Sequence, residues 1–346
     1  MRASLIVSLV SLLLSLLVGE VYLRMAGFAP KAAWVNANFD GSNWGMEDPV
    51  LGWINRPGIF DSLEKGGAAM SFQPDHSRTS RSVPVSTDPA GRGVANRAAD
   101  SLVVGCSFTQ GYSVADADTY VWRLGERFPG LVINNFGTGG YSTYQAFLRV
   151  RNELEARTEA PKLVILGFIA HQMVRTVAPP DWVKFLTDRN GALVIPPHAT
   201  VAGDRLIDHP LEIVQPWPLE RQSALVTELH AGVLRLSLGD RMAQRVPATA
   251  ATIRLMRDLV EARGGRLLVA LLDDASLPGG KADYDSLVAA LGAAKVAHAD
   301  CVDPEYDANP GSLQVGGAGH PNAEMHRRWA GCVERWITAN QPDLAR

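Results

Sequence analysis

The stretch Leu102-Val-Val-Gly-Cys-Ser-Phe-Thr-Gln-Gly111 decides the fold. A short apolar run that ends in Gly-x-Ser just before a helical pattern presents a serine hydroxyl at a strand's carboxyl end, where open α/β sheets gather their chemistry. Ser107 is therefore the first candidate nucleophile. The rest of the chain must then supply a base, an oxyanion cradle and an acid.

Working outward, the pattern set by this stretch continues. Residues 101–104 read as a strand, and 119–128 as a helix carrying Trp122, Leu124 and Phe128. Residues 131–134 read as a second strand, 144–156 as a helix and 163–169 as a third strand. Short apolar strands alternating with helices of ten or more residues predict βαβ units, a mostly parallel sheet and helices on both faces, a three-layer α/β/α sandwich. Residues 181–246 interrupt that rhythm with Pro196-Pro197, Pro210 and Pro216-Trp-Pro218. Such an insertion is a cap over the site or a surface excursion, with the excursion the expectation. Alternation resumes with a helix at 248–263, ended by Gly264-Gly265, and a strand at 266–272. A helix at 284–294, an edge strand at 296–298 and a closing helix at 322–339, with Trp329, Val333 and Trp336 on one face, complete the domain at 100–346.

Upstream, residues 26–99 are rich in Gly, Pro, Ser, Asp and Asn, with turn-like pieces at Asp48-Pro49, Arg56-Pro-Gly58 and Asp88-Pro-Ala-Gly91. They read as short strands and loops, beside the site or as a stalk. Residues 1–25 contain an uncharged run from Ala3 to Gly19 between Arg2 and Glu20. No small-x-small cleavage site follows it directly, so an uncleaved membrane anchor is favoured over a removed signal peptide. A large polar domain behind such an anchor is expected to be periplasmic or extracellular.

The chain has 346 residues, enough for a large core, and a net charge of −3 at pH 7. Mixed charge signs give no stripe that would track a phosphate backbone, so nucleic acid is not an expected partner. Of the three cysteines, Cys301 and Cys332 could pair in an oxidising compartment and leave Cys106 free; three buried thiols are the alternative. The remaining carboxylates and histidines, among them Asp273-Asp274, His198, His209, His230 and His298, form no ligand-like cluster, so no metal is expected. Gly137-Thr-Gly-Gly140 lacks the later glycine and acidic partner of a dinucleotide fingerprint, and no cofactor is expected.

Four blocks stand in order: Gly105-Cys-Ser107, Asn134-Asn-Phe-Gly-Thr-Gly-Gly140, Gly167-Phe-Ile-Ala-His171-Gln-Met-Val-Arg175, and Gly319-His320-Pro-Asn322. This order resembles the SGNH (GDSL-like) hydrolase superfamily over residues 100–339, and most closely its membrane-anchored members with a variant third block. The resemblance implies a flavodoxin-like fold and a serine ester hydrolase working through an acyl-serine. Its substrates would be acyl or acetyl esters of small molecules, lipids or envelope polysaccharides. Ser107 would be the nucleophile and His320 the base that takes its proton. The amides of Ser107 and Gly140 would hold the oxyanion, with His171 replacing the family's asparagine as a further donor.

In one respect the sequence departs from the family. The positions that usually carry the acid, two or three before the base, are Ala318 and Gly317. Either an upstream carboxylate, Asp307 or Asp303, orients His320, or a backbone carbonyl does so in a Ser-His dyad. The rival readings are an O-acyltransferase of polysaccharide modification, which passes the acyl group to a sugar, and a non-catalytic binding protein on the same scaffold.

Overall fold

The computed structural model describes residues 2–30, 44–80, 101–190, 194–203, 205–273, 280–317 and 319–344. It opens with α1 (Arg2–Met25), of which Ser4–Met25 is long and apolar enough to cross a membrane and is not buried against protein. Two antiparallel hairpins follow. β1 (Gly45–Asp48) pairs with β2 (Gly52–Asn55), and β3 (Gly58–Phe60) pairs with β4 (Met70–Phe72). The piece Asp88-Pro-Ala-Gly91 lies outside the described residues.

The α/β unit begins with β5 (Ser101–Gly105), the single-turn α2 (Ser107–Gln110) and α3 (Tyr120–Arg127). Next come β6 (Ile133–Asn135), α4 (Thr143–Ala156), β7 (Leu163–Ile169), α5 (His171–Thr176) and α6 (Pro180–Asn190). The insertion continues as β8 (Val194–Ile195), β9 (His198–Ala202), β10 (Arg205–His209), β11 (Glu212–Ile213) and α7 (Ala224–Leu238). Here β9 pairs with β10 and β8 with β11, both antiparallel. The chain then runs through α8 (Arg245–Ala262), β12 (Arg266–Asp273), α9 (Gly280–Ala293), β13 (His298–Asp300), the short α10 (Glu305–Ala308) and α11 (Pro310–Leu313), and α12 (Ala323–Asn340).

β13, β12, β7, β5 and β6 form one sheet in that order, and every pair is parallel. Counted along the chain this is the order 2-1-3-4-5 of flavodoxin-like folds, whose ligands bind at the switch point beyond the first and third strands. β5 and β7 are those strands, so the loops after them, carrying Ser107 and His171, open at one end of the sheet.

Alternation along each strand explains the layers. Leu102, Val104, Val164, Leu166, Phe168, Val269 and Leu271 join one core with residues of α4, α8 and α9. Val103, Ile165, Ile169, Leu268 and Leu272 join the other with α3 and α12, including Trp329 and Val333. Both faces are covered, which is why the strands read as unbroken apolar runs. Helix starts are fixed locally: Thr119 caps α3, Ser142 and Gln145 form a capping box on α4, and Asn322 caps α12.

One expectation shifts, and one open alternative is decided. The edge strand runs His298–Asp300 rather than over 296–298, because the buried Val296 closes α9 by donating its N–H to Leu291 O at 2.9 Å. Residues 44–80 are no stalk: Trp53, Met70 and Phe72 are buried, and Arg78 N–H donates to Asn135 O of β6 at 2.7 Å. Cys301 and Cys332 form a disulfide and Cys106 is a free, buried thiol.

Candidate active site

Ser107 owes its position to a crowded turn. Gly105 has φ 157°, and a Cβ there would stand 2.6 Å from the Gly167 carbonyl oxygen and close on Thr109 Oγ1, so only glycine fits where the chain leaves β5 beside Gly167 of β7. Ser107 then starts α2 with its carbonyl accepting from Gly111 and Tyr112, each at 3.0 Å. The residue is mostly buried, in the wall of a cleft of about 390 Å³.

His320 comes from the far end of the chain. Its loop is pinned to the preceding turn: Val315 N–H donates to His320 O at 2.8 Å, Asn322 N–H to Leu313 O at 2.9 Å, and the Tyr306 hydroxyl to Gly319 O at 2.6 Å. The imidazole packs between Phe108 and Tyr112, at centroid distances of 5.8 and 4.8 Å. Its Nε2 lies 3.0 Å from Ser107 Oγ, within reach of a proton transfer.

The other ring nitrogen meets a carboxylate absent from the sequence expectations. His320 Nδ1 lies 2.5 Å from Glu64 Oε1. Glu64 sits in the loop between β3 and β4, where its amide donates to Ser62 Oγ at 3.0 Å and its carbonyl accepts from Gly67 at 2.9 Å. That loop is clamped by Ser62 Oγ against Ser113 Oγ at 2.7 Å and by Ala68 N–H donating to Ser113 O at 2.9 Å. Burial opposes ionisation of Glu64, but the hydrogen bond and charge of His320 outweigh it and hold the carboxyl below its ordinary range. An ionised acceptor at Nδ1 places the imidazole proton there and leaves Nε2 to accept from the serine hydroxyl, a tautomer assigned from the network.

Asp303 does not reach His320. Its carboxylate accepts from Arg328 Nη1 at 2.8 Å, tying α12 to the segment after β13. The side chain of Asp307 lies outside the described residues. The backbone-carbonyl dyad gives way to the geometry of a carboxylate on Nδ1.

Gly140 lines the cleft with φ 78°, a conformation glycine adopts freely. Its loop is held by the upstream hairpin: Trp53 Nε1 donates to Gly139 O at 2.9 Å, Asn55 Nδ2 to Gly137 O at 3.0 Å, and the Tyr141 hydroxyl to Trp53 O at 2.5 Å. Residues 44–80 thus carry Glu64 and also brace the second block. His171 opens α5, half-buried and outside the cleft lining. Desolvation and the neighbouring Arg175 push its pKa down to about 4, so the ring is neutral at physiological pH. Arg175, one turn later, is the residue of that block that reaches the cleft, with its guanidinium carbon 4.9 Å from the Trp182 ring centroid.

Trp182 and Phe185 of α6 also line the cleft, together with Trp44 and Leu63. The insertion is therefore in part a cap, through α6, while its later part runs over the surface as expected. Ser107, His320 and Gly140 were legible in the sequence, where Arg175 was only the end of the third block. Glu64 carries no local signal, being one acid among loop residues 256 positions from its partner.

No protein-family model matches the chain, and none of the curated proteins does. Among solved structures it is similar to TesA, with 15% identity over 69% of this chain and 98% of that one at a TM-score of 0.39. It is similar to a putative lipolytic protein of the G-D-S-L family from Desulfitobacterium hafniense DCB-2, with 14% identity over 68% and 98% and a TM-score of 0.39. It is also similar to Axe2, an acetylxylan esterase from Geobacillus stearothermophilus, with 11% identity over 69% and 94% and a TM-score of 0.39. Strand order and layering within the chain itself define its architecture: a three-layer, flavodoxin-like α/β/α sandwich with one apolar N-terminal helix.

Proposed function

We propose that this chain is a membrane-anchored serine ester hydrolase of the SGNH (GDSL-like) type. The observation that carries the reading is the continuous relay Ser107 Oγ, His320 Nε2, His320 Nδ1, Glu64 Oε1, with steps of 3.0 and 2.5 Å, in the wall of an aromatic-lined cleft. Ser107 attacks the ester carbonyl while His320 takes its proton and then returns it to the leaving alcohol. Glu64 holds the ring in register and stabilises the imidazolium that forms. The amides of Ser107 and Gly140 receive the oxyanion, each such donor contributing about 2.7–4 kcal/mol. His171 was the third candidate donor, and its place outside the cleft lining argues for a supporting role.

Substrates are acyl or acetyl esters met near an envelope, on small molecules or glycans. The Cys301–Cys332 disulfide supports a catalytic domain exported to a periplasmic or extracellular compartment. The test is hydrolysis of p-nitrophenyl acetate together with labelling by a fluorophosphonate. The wild type reacts with both and Ser107→Ala with neither; wild-type turnover in Ser107→Ala removes the nucleophile.

One observation favours transfer as a second reading. Trp44, Trp182 and Phe185 give the cleft apolar walls, which suit a sugar ring and limit water. An O-acyltransferase would consume the ester faster when an acceptor sugar is added and would yield acylated sugar. An unchanged rate and free acid as the sole product would leave hydrolysis alone.

A further inference from the structure

α7 (Ala224–Leu238) takes no part in this chemistry, yet its surface is not that of a helix facing water. Its inner face carries the buried Ala224, Thr227, His230 and Leu238. On the opposite face, where a surface helix carries charge, stand Leu229, Val233 and Leu236, which are 51%, 49% and 84% exposed. Spacings of four and three put them in one stripe at 3.6 residues per turn. Just upstream, Ile213, Trp217 and Leu219 are exposed too. Trp217 stacks on His230 of α7, with ring centroids 4.6 Å apart.

This apolar face starts where the apolar N-terminal helix ends. The Glu20 carboxylate accepts from the amides of Ala224 and Leu225 at 3.0 and 2.8 Å and from the Ser223 hydroxyl at 2.7 Å. Arg24 donates to Gln222 O at 2.8 Å. Leu225 packs beside Gly19, where a Cβ would stand in ordinary contact, 3.6 Å from the leucine methyl. These contacts tie the last turns of α1 to the first turn of α7 and the two residues before it. The exposed stripe therefore continues the apolar surface of a candidate membrane span.

We propose that α7 lies in the headgroup region of the bilayer that α1 crosses, with Leu229, Val233 and Leu236 in the acyl boundary. The proposal rests on the reading of α1 as a retained anchor. It reaches the catalytic cleft through α6. Val183 packs in one cluster with Leu238, and Trp182 and Leu234 lie against it. Trp182 and Phe185 of the same helix wall the cleft. The cap over Ser107 is thus fastened to the bilayer-facing helix, and substrate is met at the membrane surface.

The test uses the full chain in vesicles of phosphatidylcholine and phosphatidylglycerol. Leu229→Cys, Val233→Cys and Leu236→Cys each carry a nitroxide; the native Cys106 is buried and the other cysteines are paired, so labelling is selective. Collision with oxygen, which partitions into lipid, is compared with collision with a water-soluble nickel chelate. Oxygen exceeds nickel several-fold at all three positions if the stripe is in lipid, whereas Ser286→Cys, exposed on α9, shows the reverse. Nickel exceeding oxygen at the three positions, with the protein resistant to alkaline carbonate, overturns the docking and leaves the anchor standing. Release of the protein by carbonate overturns both. Spin–spin broadening between labels on two copies overturns lipid contact in favour of a dimer.

Discussion

Replacing Glu64 by glutamine tests the relay at the link sequence alone did not supply. Glutamine keeps the shape but removes the charge 2.5 Å from His320 Nδ1, and its amide can turn N–H toward the ring and favour the wrong tautomer. In serine proteases the equivalent change in a buried acid lowers turnover by ~10⁴. Here the side chains of His320 and Glu64 are 27% and 24% exposed, so water takes over part of the stabilisation of the imidazolium. A loss of ~10²–10³-fold in kcat follows, about 2.7–4 kcal/mol of barrier. The assay is kcat and KM for p-nitrophenyl acetate near neutral pH, with circular dichroism to show that the variant folds. KM should move little, because the acid acts on proton transfer and not on substrate contacts. Asp303→Asn serves as the comparison, since it breaks the Arg328 ion pair and leaves the relay untouched. Glu64→Gln within about threefold of wild type, on a protein whose Ser107→Ala form is inactive, would refute the role of the acid. A larger loss in Asp303→Asn than in Glu64→Gln would return the role to the upstream carboxylate that the sequence offered.

Further outcomes concern stability. The disulfide closes a separation of 31 residues between β13 and α12, so Cys301→Ser with Cys332→Ser should cost ~3–4 kcal/mol, read as a fall in the denaturant midpoint. His171, His198 and His326 are held by burial at pKa values of about 4, 3 and 3, below their ordinary 6.5. The unfolded chain then binds more protons below pH 6.5, so stability is full above that value and falls as pH drops toward 4, by about 1–2 kcal/mol per histidine at pH 5. A melting temperature equal at pH 7.5 and pH 5 would contradict this. Gly137→Ala would place a methyl 2.3 Å from the Gln110 backbone nitrogen, so the loop must move. The melt should fall by the equivalent of about 1–3 kcal/mol and turnover should fall with it, because the same loop carries Gly140.

How far the sequence could be read follows from how local each signal is. The runs at 102–104, 163–169 and, past the exposed Arg266, 267–272 announced buried parallel strands because both faces of a strand are buried when helices cover both sides. Ser107 and Gly140 stand on turns whose glycines are demanded by backbone geometry and so leave a mark in the chain. His320 was legible through its neighbours, Gly319 and the helix-capping Asn322. The Cys301–Cys332 pairing stood beside three buried thiols as an open alternative, and the fold decided it by bringing the two Cα atoms to 5.7 Å.

Glu64 left no such mark. Any loop acid satisfies the same local chemistry, and its role exists only because Ser62, Ser113 and the hairpins around Trp53 and Phe72 fold the upstream segment across the end of β5. The aromatic cap was equally silent, since Trp182 on a helix reads the same whether it faces a cleft or a core. The sequence alone determined the α/β layering, the apolar N-terminal helix and the serine at the first strand's tip, because burial on two faces and forbidden backbone angles act on consecutive residues. Tertiary structure alone decided which carboxylate meets the imidazole and which helix walls the cleft, because those pairings link elements through space, where a single chain written in order holds no record of distance.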